Sequence, residues 1–360
     1  MLIDTHCHLD KPRYRQNMKN ILKEAEGNRV KGILIPSTQR NTIDVAQTLS
    51  QSYKGVFYSV GFHPKYAEKF EMTMLEEHVN DECCIAIGEF GLDYARLSKE
   101  EEIREPIIAK QKEVLVEHLE FAVKHQKPVL IHLRDKDRQY VAHDDFMQIL
   151  QPYLGKLVGG VIHALNFDRV DYIALSKQGF YFGVGGQLTY DRFEDLKAFV
   201  KKAPLESLLL ETDSPWLTPT SRKKKMKEVV NKPAYLLDVL EEFAKVLNMD
   251  LVLLEEQLLQ NTLRLFPQFQ EAVESESYSS GQVRTIAQLG AEVIRQVANE
   301  VKEIQSKETQ DLIDDLLLTC IDSRGMGIAS PQISVSKRLF IMASNPNSRY
   351  PNAPKMKPKA

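Results

Sequence analysis

The chain opens Leu2-Ile3-Asp4-Thr5-His6-Cys7-His8-Leu9-Asp10, a short apolar run that leads into His6-x-His8. In an extended strand, residues two apart share a face, so both imidazoles project to the same side. Two neutral imidazoles held side by side are a ready pair of metal ligands. The motif alone is weak, because surface strands acquire His-x-His by chance. It gains force because the same grammar recurs: other apolar runs carry or end in His63, Glu89, His132, His163 and Asp213.

Positioning those groups requires strands. Apolar, mostly continuous segments cover residues 2–9, 32–37, 56–62, 84–90, 129–133, 158–164, 180–185 and 207–212. Runs of that length and continuity are expected of strands buried on both faces. Amphipathic stretches with helical spacing separate most of them, at 17–30, 107–125 and 191–202 for example. Strands alternating with helices imply parallel βαβ units. Eight such units over roughly 265 residues is the size of a (β/α)8 barrel, whose active site lies at the C-terminal ends of the strands. His6 and His8 sit on the first strand, Glu89 near the end of the fourth and His132 in the fifth. His63 and His163 end the third and sixth, and Asp213 follows the eighth. One such histidine alone is most often a satisfied core residue. Six strands doing this together is a site.

The 360 residues are 43% hydrophobic and 27% charged, an ordinary globular composition. The net charge of −3 excludes a protein that coats nucleic acid electrostatically, so any such contact is a local site. Cys7, Cys83, Cys84 and Cys320 show no CxxC or zinc-ribbon spacing and read as free thiols in a reducing compartment. No leader pattern precedes the first strand and no 18-residue apolar run occurs, so a cytoplasmic protein is expected.

Residues 1–268 resemble the TatD family of metal-dependent deoxyribonucleases, among the amidohydrolase-like TIM barrels. The matching segments are Ile3 to Asp10, Gly61-Phe62-His63-Pro64, Gly88-Glu89-Phe90-Gly91-Leu92-Asp93-Tyr94, Pro128 to His132, Gly160-Val161-Ile162-His163 and Leu210-Glu211-Thr212-Asp213-Ser214-Pro215. Asn231-Lys232-Pro233-Ala234-Tyr235 and Asn261-Thr262 fit the family's last helices. The resemblance implies a TIM barrel of the metal-dependent hydrolase type holding two divalent ions. One would take His6, His8, Glu89 and Asp213; the other Glu89, His132 and His163, with Glu89 as bridge. Asp213 would also orient or deprotonate the attacking water, and His63 would position phosphate or move a proton. A mixed His and carboxylate set suits Zn2+, Mn2+ or Mg2+; the resemblance favours Mg2+ or Mn2+ in use. The implied substrate is DNA, single-stranded or at an end, cut exonucleolytically. From the residues themselves, Trp216 either stacks a terminal base or caps the barrel mouth, and Arg222-Lys223-Lys224-Lys225 either holds backbone phosphates or is a solvated charge run. Glu211, one layer deeper than Asp213, orients the metal ligands, and Cys7 packs behind them. His78, His118, His125 and His143 read as surface or packing residues. Lys65, Ala164-Leu165-Asn166-Phe167-Asp168 and Gly185-Gly186-Gln187 depart from the family pattern and bear on substrate fit.

Residues 269–282, rich in Ser and Glu, read as a linker. Residues 283–360 resemble the first half of peptide deformylase in Ile286-Ala287-Gln288-Leu289-Gly290, Leu312 to Leu316 and Gly325-Met326-Gly327-Ile328-Ala329-Ser330-Pro331-Gln332. That family holds its metal with a later Cys and an HExxH helix, and no HExxH occurs in this sequence. The expectation is a small, incomplete α+β segment without deformylase activity, whose helix near 310–320 needs an apolar partner. Two other functions fit the same residues. One is hydrolysis of another ester: RNA, aminoacyl-tRNA or a small phosphoester. The other is a binding or scaffold protein with a vestigial barrel and a deformylase remnant used as an interaction module. For the nuclease reading, no membrane and no obligatory protein partner are expected.

Overall fold

The computed structural model describes all residues except 136–139, 166–169, 224–229, 275–283, 289, 305, 324–326, 345–355 and 360. The chain divides into two compact units, Met1–Ser275 and Glu276–Ala360.

The first unit is the expected barrel. Eight parallel strands run in sequence order: β1 (Leu2–Asp4), β2 (Val30–Pro36), β3 (Val56–Val60), β4 (Cys84–Asp93), β5 (Val129–Arg134), β6 (Gly160–Ile162), β7 (Phe180–Val184) and β8 (Leu208–Leu210). Helices α1 (Met18–Gly27), α2 (Arg40–Ser52), α3 (Met72–His78), α4 (Glu101–His125), α5 (Val141–Leu150), α6 (Val170–Ser176) and α7 (Glu194–Lys202) fill the seven crossovers. After β8 come α8 (Thr220–Lys223), α9 (Leu236–Leu247) and α10 (Leu251–Leu265). The α9 sequence buries Leu236, Val239, Leu240, Phe243 and Ala244, one stripe at helical spacing, against the sheet. Asp250 caps α10, accepting the backbone N–H groups of Val252 and Leu253.

Two cores follow from strands buried on both faces. The outer one lies between strands and helices. The inner one gathers Ile3, Leu34, Ile85, Leu130, Val161, Tyr181 and Leu209 inside the barrel, plugged by Phe266 and Phe269. A Cβ on Gly32 would lie 2.4 Å from the Phe269 ring, so the plug needs glycine there. Leu130 and Leu209 stand two residues before His132 and Glu211. The period of two therefore puts the polar groups one layer above this apolar floor.

The first strand is shorter than its apolar run suggests. It pairs with β2 only through Asp4. Beyond Asp4 the chain turns to the exit of β8: Thr5 N–H donates to Leu210 O, Asp213 N–H to His6 O, and His8 N–H to Ser214 O. His6 and His8 therefore lie past the strand, on the seam that closes the barrel, and share it with Asp213.

Within the span expected as a linker, Phe269 is fully buried and Gln270–Glu274 forms α11; residues 275–282 lie outside the described set. In the second unit, α12 (Glu292–Arg295) and α13 (Lys307–Asp322) accompany an antiparallel sheet of β9 (Gly327–Ala329), β10 (Phe340–Ser344) and β11 (Met356–Lys359). The helix expected at 310–320 finds its apolar partner in its own segment. Leu316 and Cys320 bury against Ile328, Ile333 and Ile341. The side chain of Leu317, and Leu289, Gly325 and Met326 altogether, fall outside the described residues. Among the described residues, no helix is long and apolar enough to cross a membrane.

Candidate metal centre

Five strand exits and the seam bring the charged groups to one spot. Glu89 projects from β4 and is buried, and its two oxygens face different partners. Oε2 lies 3.6 Å from His6 Nε2 and 3.5 Å from His8 Nε2. Asp213 Oδ1 lies 3.8 Å from His6 Nε2 and 3.6 Å from His8 Nε2. On the other side, Oε1 lies 2.8 Å from both His132 Nδ1 and His163 Nε2. The His6 and His163 rings stack at 3.8 Å. All six residues named from the sequence as cation ligands thus converge.

The donor set fits divalent cations on two grounds. His6 Nδ1 and Nε2 and Glu89 Oε2 are buried and make no hydrogen bond. Such groups are costly unless something pairs with them. The separations of 3.5 to 3.8 Å around Glu89 Oε2 and Asp213 Oδ1 are too long for hydrogen bonds. They match the edge, about 3.4 Å, of a tetrahedron whose corners lie ~2.1 Å from a central cation. The groups His6–Glu89–His163 and His6–His8–Asp213 each bring three donor atoms within 4.8 Å of one another.

Electrostatics prepares these ligands. Burial, assisted by neighbouring imidazoles, lowers the pKa of His6 to about 4 and that of His63 and His163 to about 3, so all three present neutral rings. Burial also lowers His8. Burial opposes ionisation of Glu89, but the histidines around it outweigh that and hold its carboxyl well below the usual range. Asp213 is pushed well above it, by burial and by the charge of Glu89. Burial alone would lower His132; Asp93 and Glu89 overcome it and raise the ring to about 9.

The centre forms the floor of a cavity of about 1060 Å3. His63 stands on its wall with Nε2 3.7 Å from Glu89 Oε1. Trp216, 49% exposed, sits at the mouth with its ring edge-on to His8 at 4.9 Å. Lys65 and Gln187, two departures from the family pattern, also line the cavity; Asn166, Phe167 and Asp168 lie outside the described residues. Glu211 is fully buried, accepts the Ala164 N–H, and fits because Gly183 has no Cβ, which would lie 2.0 Å from Glu211 Oε2. Cys7 is buried with Sγ 3.0 Å from Ser214 Oγ.

The basic run after β8 is partly engaged elsewhere. Arg222 forks onto Asp238 at 2.6 to 2.9 Å and lies over the Tyr235 ring, and Lys223 donates to the Tyr190 hydroxyl. Lys224 and Lys225 are outside the described residues. Cations that line the cavity instead include Lys11, Arg15, Lys65, Arg96, Arg134 and Arg192. They come from five separate stretches of the chain, so no local charge run marks them. Of the remaining histidines, His118 is fully buried, stacked on Phe90, and accepts the Phe62 N–H at Nε2. His143 Nδ1 lies 2.6 Å from Asp135.

Sequence reasoning missed four residues. Asp4 accepts both the N–H and the hydroxyl of Thr212, tying the first strand exit to the last. Asn231 donates to Thr212 O and Trp216 O and pins the loop that bears Asp213. Asp10 and Asp93 lie inside quoted motifs, two and four residues after a ligand, but nothing in the spacing separates them from solvated acids.

Residues 3–267 match the family of TatD-related DNases, and residues 283–357 match polypeptide deformylase. A metal-dependent hydrolase of Buchnera aphidicola is 32% identical over 263 residues, covering 69% of this chain and 93% of that protein. The 3'-5' ssDNA/RNA exonuclease TatD of Shigella flexneri is 30% identical over 249 residues, covering 68% of this chain and 90% of that protein. Among solved structures, YjjV, a TatD homologue from Escherichia coli K12, superposes with a TM-score of 0.64 at 27% identity, over 74% of this chain and 98% of that one.

Proposed function

The chain belongs to the family of TatD-related DNases, metal-dependent hydrolases, and we propose that its barrel hydrolyses phosphodiester bonds of DNA from a chain end, at a pair of divalent cations. The observation that carries this reading is the division of Glu89: one oxygen toward His6, His8 and Asp213, the other toward His132 and His163. His6, His8, Glu89 and Asp213 would hold one ion, and Glu89, His132 and His163 the other, with Mg2+ or Mn2+ in use. Divalent cations bound there withdraw charge from phosphate oxygens and acidify water.

The chain's own groups do the rest. Asp213 lines the cavity, where its carboxylate would orient the attacking water and take up its proton. His63 Nδ1 accepts the Lys65 N–H, so Nε2 carries the ring's proton and donates it as a hydrogen bond to a phosphate oxygen. Trp216 offers an aromatic face to a terminal base. Arg15, Lys65, Arg96, Arg134 and Arg192 form no salt bridge among the described residues, which leaves their charges for backbone phosphates.

End-labelled single- and double-stranded DNA, RNA and a chromogenic small phosphodiester, each with Mg2+ or Mn2+, test this reading. Single-stranded DNA is expected to shorten stepwise from one end. Chelator and Asp213→Asn both stop it, the latter without unfolding the barrel. Cleavage that survives either treatment, or that is confined to RNA or the small ester, overturns the proposal.

A further inference from the structure

His8, His132 and His163 each turn one ring nitrogen toward Glu89 and the other toward a separate carboxylate. For His8, Nε2 is 3.5 Å from Glu89 and Nδ1 is 3.6 Å from Asp10 Oδ1. For His132, Nδ1 is 2.8 Å from Glu89 and Nε2 is 3.6 Å from Asp93 Oδ2. For His163, Nε2 is 2.8 Å from Glu89 and Nδ1 is 3.9 Å from Glu211 Oε1. All three outer nitrogens are buried without a hydrogen bond, and so are Asp10 Oδ1 and Glu211 Oε2. We infer that Asp10, Asp93 and Glu211 form an outer ring of positioning carboxylates, each drawing one histidine's proton to its outer nitrogen so that the inner nitrogen turns a lone pair to a cation. The inference rests on the two-cation reading above.

A neutral imidazole carries one N–H, and whichever nitrogen donates it leaves the other as the ligand. A carboxylate behind the ring fixes that choice and makes the inner nitrogen more basic. The gaps of 3.6 to 3.9 Å exceed a hydrogen bond, and a ring shift of about 1 Å closes each of them. The carboxylates themselves are anchored. Asp93 exchanges backbone bonds with the Gln111 side chain, Gln111 being buried in α4, and its Oδ1 accepts the Ala95 N–H, which leaves Oδ2 for His132. Asp10 Oδ2 accepts from Lys11 Nζ, which leaves Oδ1 for His8. Glu211 accepts the Ala164 N–H in the space that Gly183 opens. Among the described residues His6 has no such partner; its ring lies flat against His163 instead. His132 Nδ1 and His163 Nε2 lie 2.8 Å from the same Glu89 oxygen and 3.0 Å from each other. With cations bound, the outer carboxylates would hold the His163 proton on Nδ1, beside Glu211, and the His132 proton on Nε2, beside Asp93.

Zn2+, a diamagnetic probe, tests this on the full chain. Its affinity is measured by competition with a chromophoric chelator for the parent, Asp10→Ala, Asp93→Ala and Asp93→Asn. Histidine tautomers are read from long-range 1H–15N spectra before and after loading. The alanine variants are expected to bind about 10- to 100-fold more weakly. Asp93→Asn, which keeps an acceptor oxygen, recovers most of that loss. In the loaded parent, His132 carries its proton on Nε2 and His8 and His163 on Nδ1. Alanine variants that bind like the parent, or the opposite tautomers, overturn the inference. So does a loss of one whole ion in Asp93→Ala, which would make Asp93 a ligand alongside His63 and His132. Should an alanine variant fail to fold, the parent's tautomers decide. A parent that binds no Zn2+ removes the two-cation reading itself, a failure distinct from unchanged affinity in the variants.

Discussion

Replacing Asn231 with alanine tests whether the Asp213 loop is held as the structure indicates. Asn231 is fully buried, and its Nδ2 donates to Thr212 O at 2.8 Å and to Trp216 O at 2.6 Å. Those carbonyls bracket Asp213, which sits at φ 52°, a left-handed conformation uncommon for a non-glycine residue. Alanine removes both hydrogen bonds and leaves two carbonyls without their donor. At ~1 kcal/mol for each bond and about 1 kcal/mol or more for stranding its partner, the loss is about 2–4 kcal/mol. With an unfolding entropy of about 2.1 cal/mol/K per residue, the unit Met1–Ser275 loses roughly 3–7 °C of Tm. Activity suffers through Asp213. If re-forming its left-handed turn costs about 2 kcal/mol, kcat on single-stranded DNA falls about 30-fold. Thermal unfolding by circular dichroism and initial rates on a labelled oligonucleotide read both effects. A Tm within 1 °C of the parent and a rate within twofold would refute the reasoning.

Glu89→Gln keeps the shape of the side chain but removes the charge that both donor groups share. Calorimetry should find neither ion bound at micromolar concentration, and turnover should drop by about 10^3 or more, of order 4 kcal/mol; retention of one ion would count against a bridge. Because His132 is raised to about 9 in the metal-free chain, it is protonated at pH 7.5, and loading must expel its Nδ1 proton. Titrations in buffers of different ionisation enthalpy should report at least one proton released per chain, and no release would remove the claim. Burial lowers His118 to about 4, so the unfolded chain takes up that proton first as pH falls. Its contribution is present above pH 6.5 and is lost toward pH 4, up to about 3 kcal/mol. Urea unfolding at pH 7 and pH 5 should fall less steeply in His118→Gln than in the parent, and equal slopes would remove the claim.

The barrel was legible because burial on both faces leaves its mark in continuous apolar strands, and because crossover helices impose their own spacing. The positions of the metal-type residues at strand exits followed from the same pattern. The end of β1 did not, because past Asp4 the chain keeps one bond to β2, Cys7 N–H to Leu34 O, and otherwise pairs with residues some 200 positions away, through Thr5 to Leu210 and Asp213 to His6. Nothing local encodes that choice. The partner of Arg222 was not legible for a related reason: the Asp238 carboxylate faces it only once α9 has folded back. Asn231, Asp10 and Asp93 were visible as residue types, but their roles depend on which backbone or ring they meet. The helix in the second unit showed its apolar stripe, whereas its partners Ile328 and Ile341 become recognisable only when β9 and β10 pair.

The most direct test is a crystal of the chain soaked in Mn2+, with anomalous diffraction collected at the manganese edge. The account predicts two peaks flanking Glu89, one beside His6, His8 and Asp213, the other beside His132 and His163. No peak at Glu89, or a single ion that leaves one of the two groups untouched, would contradict it.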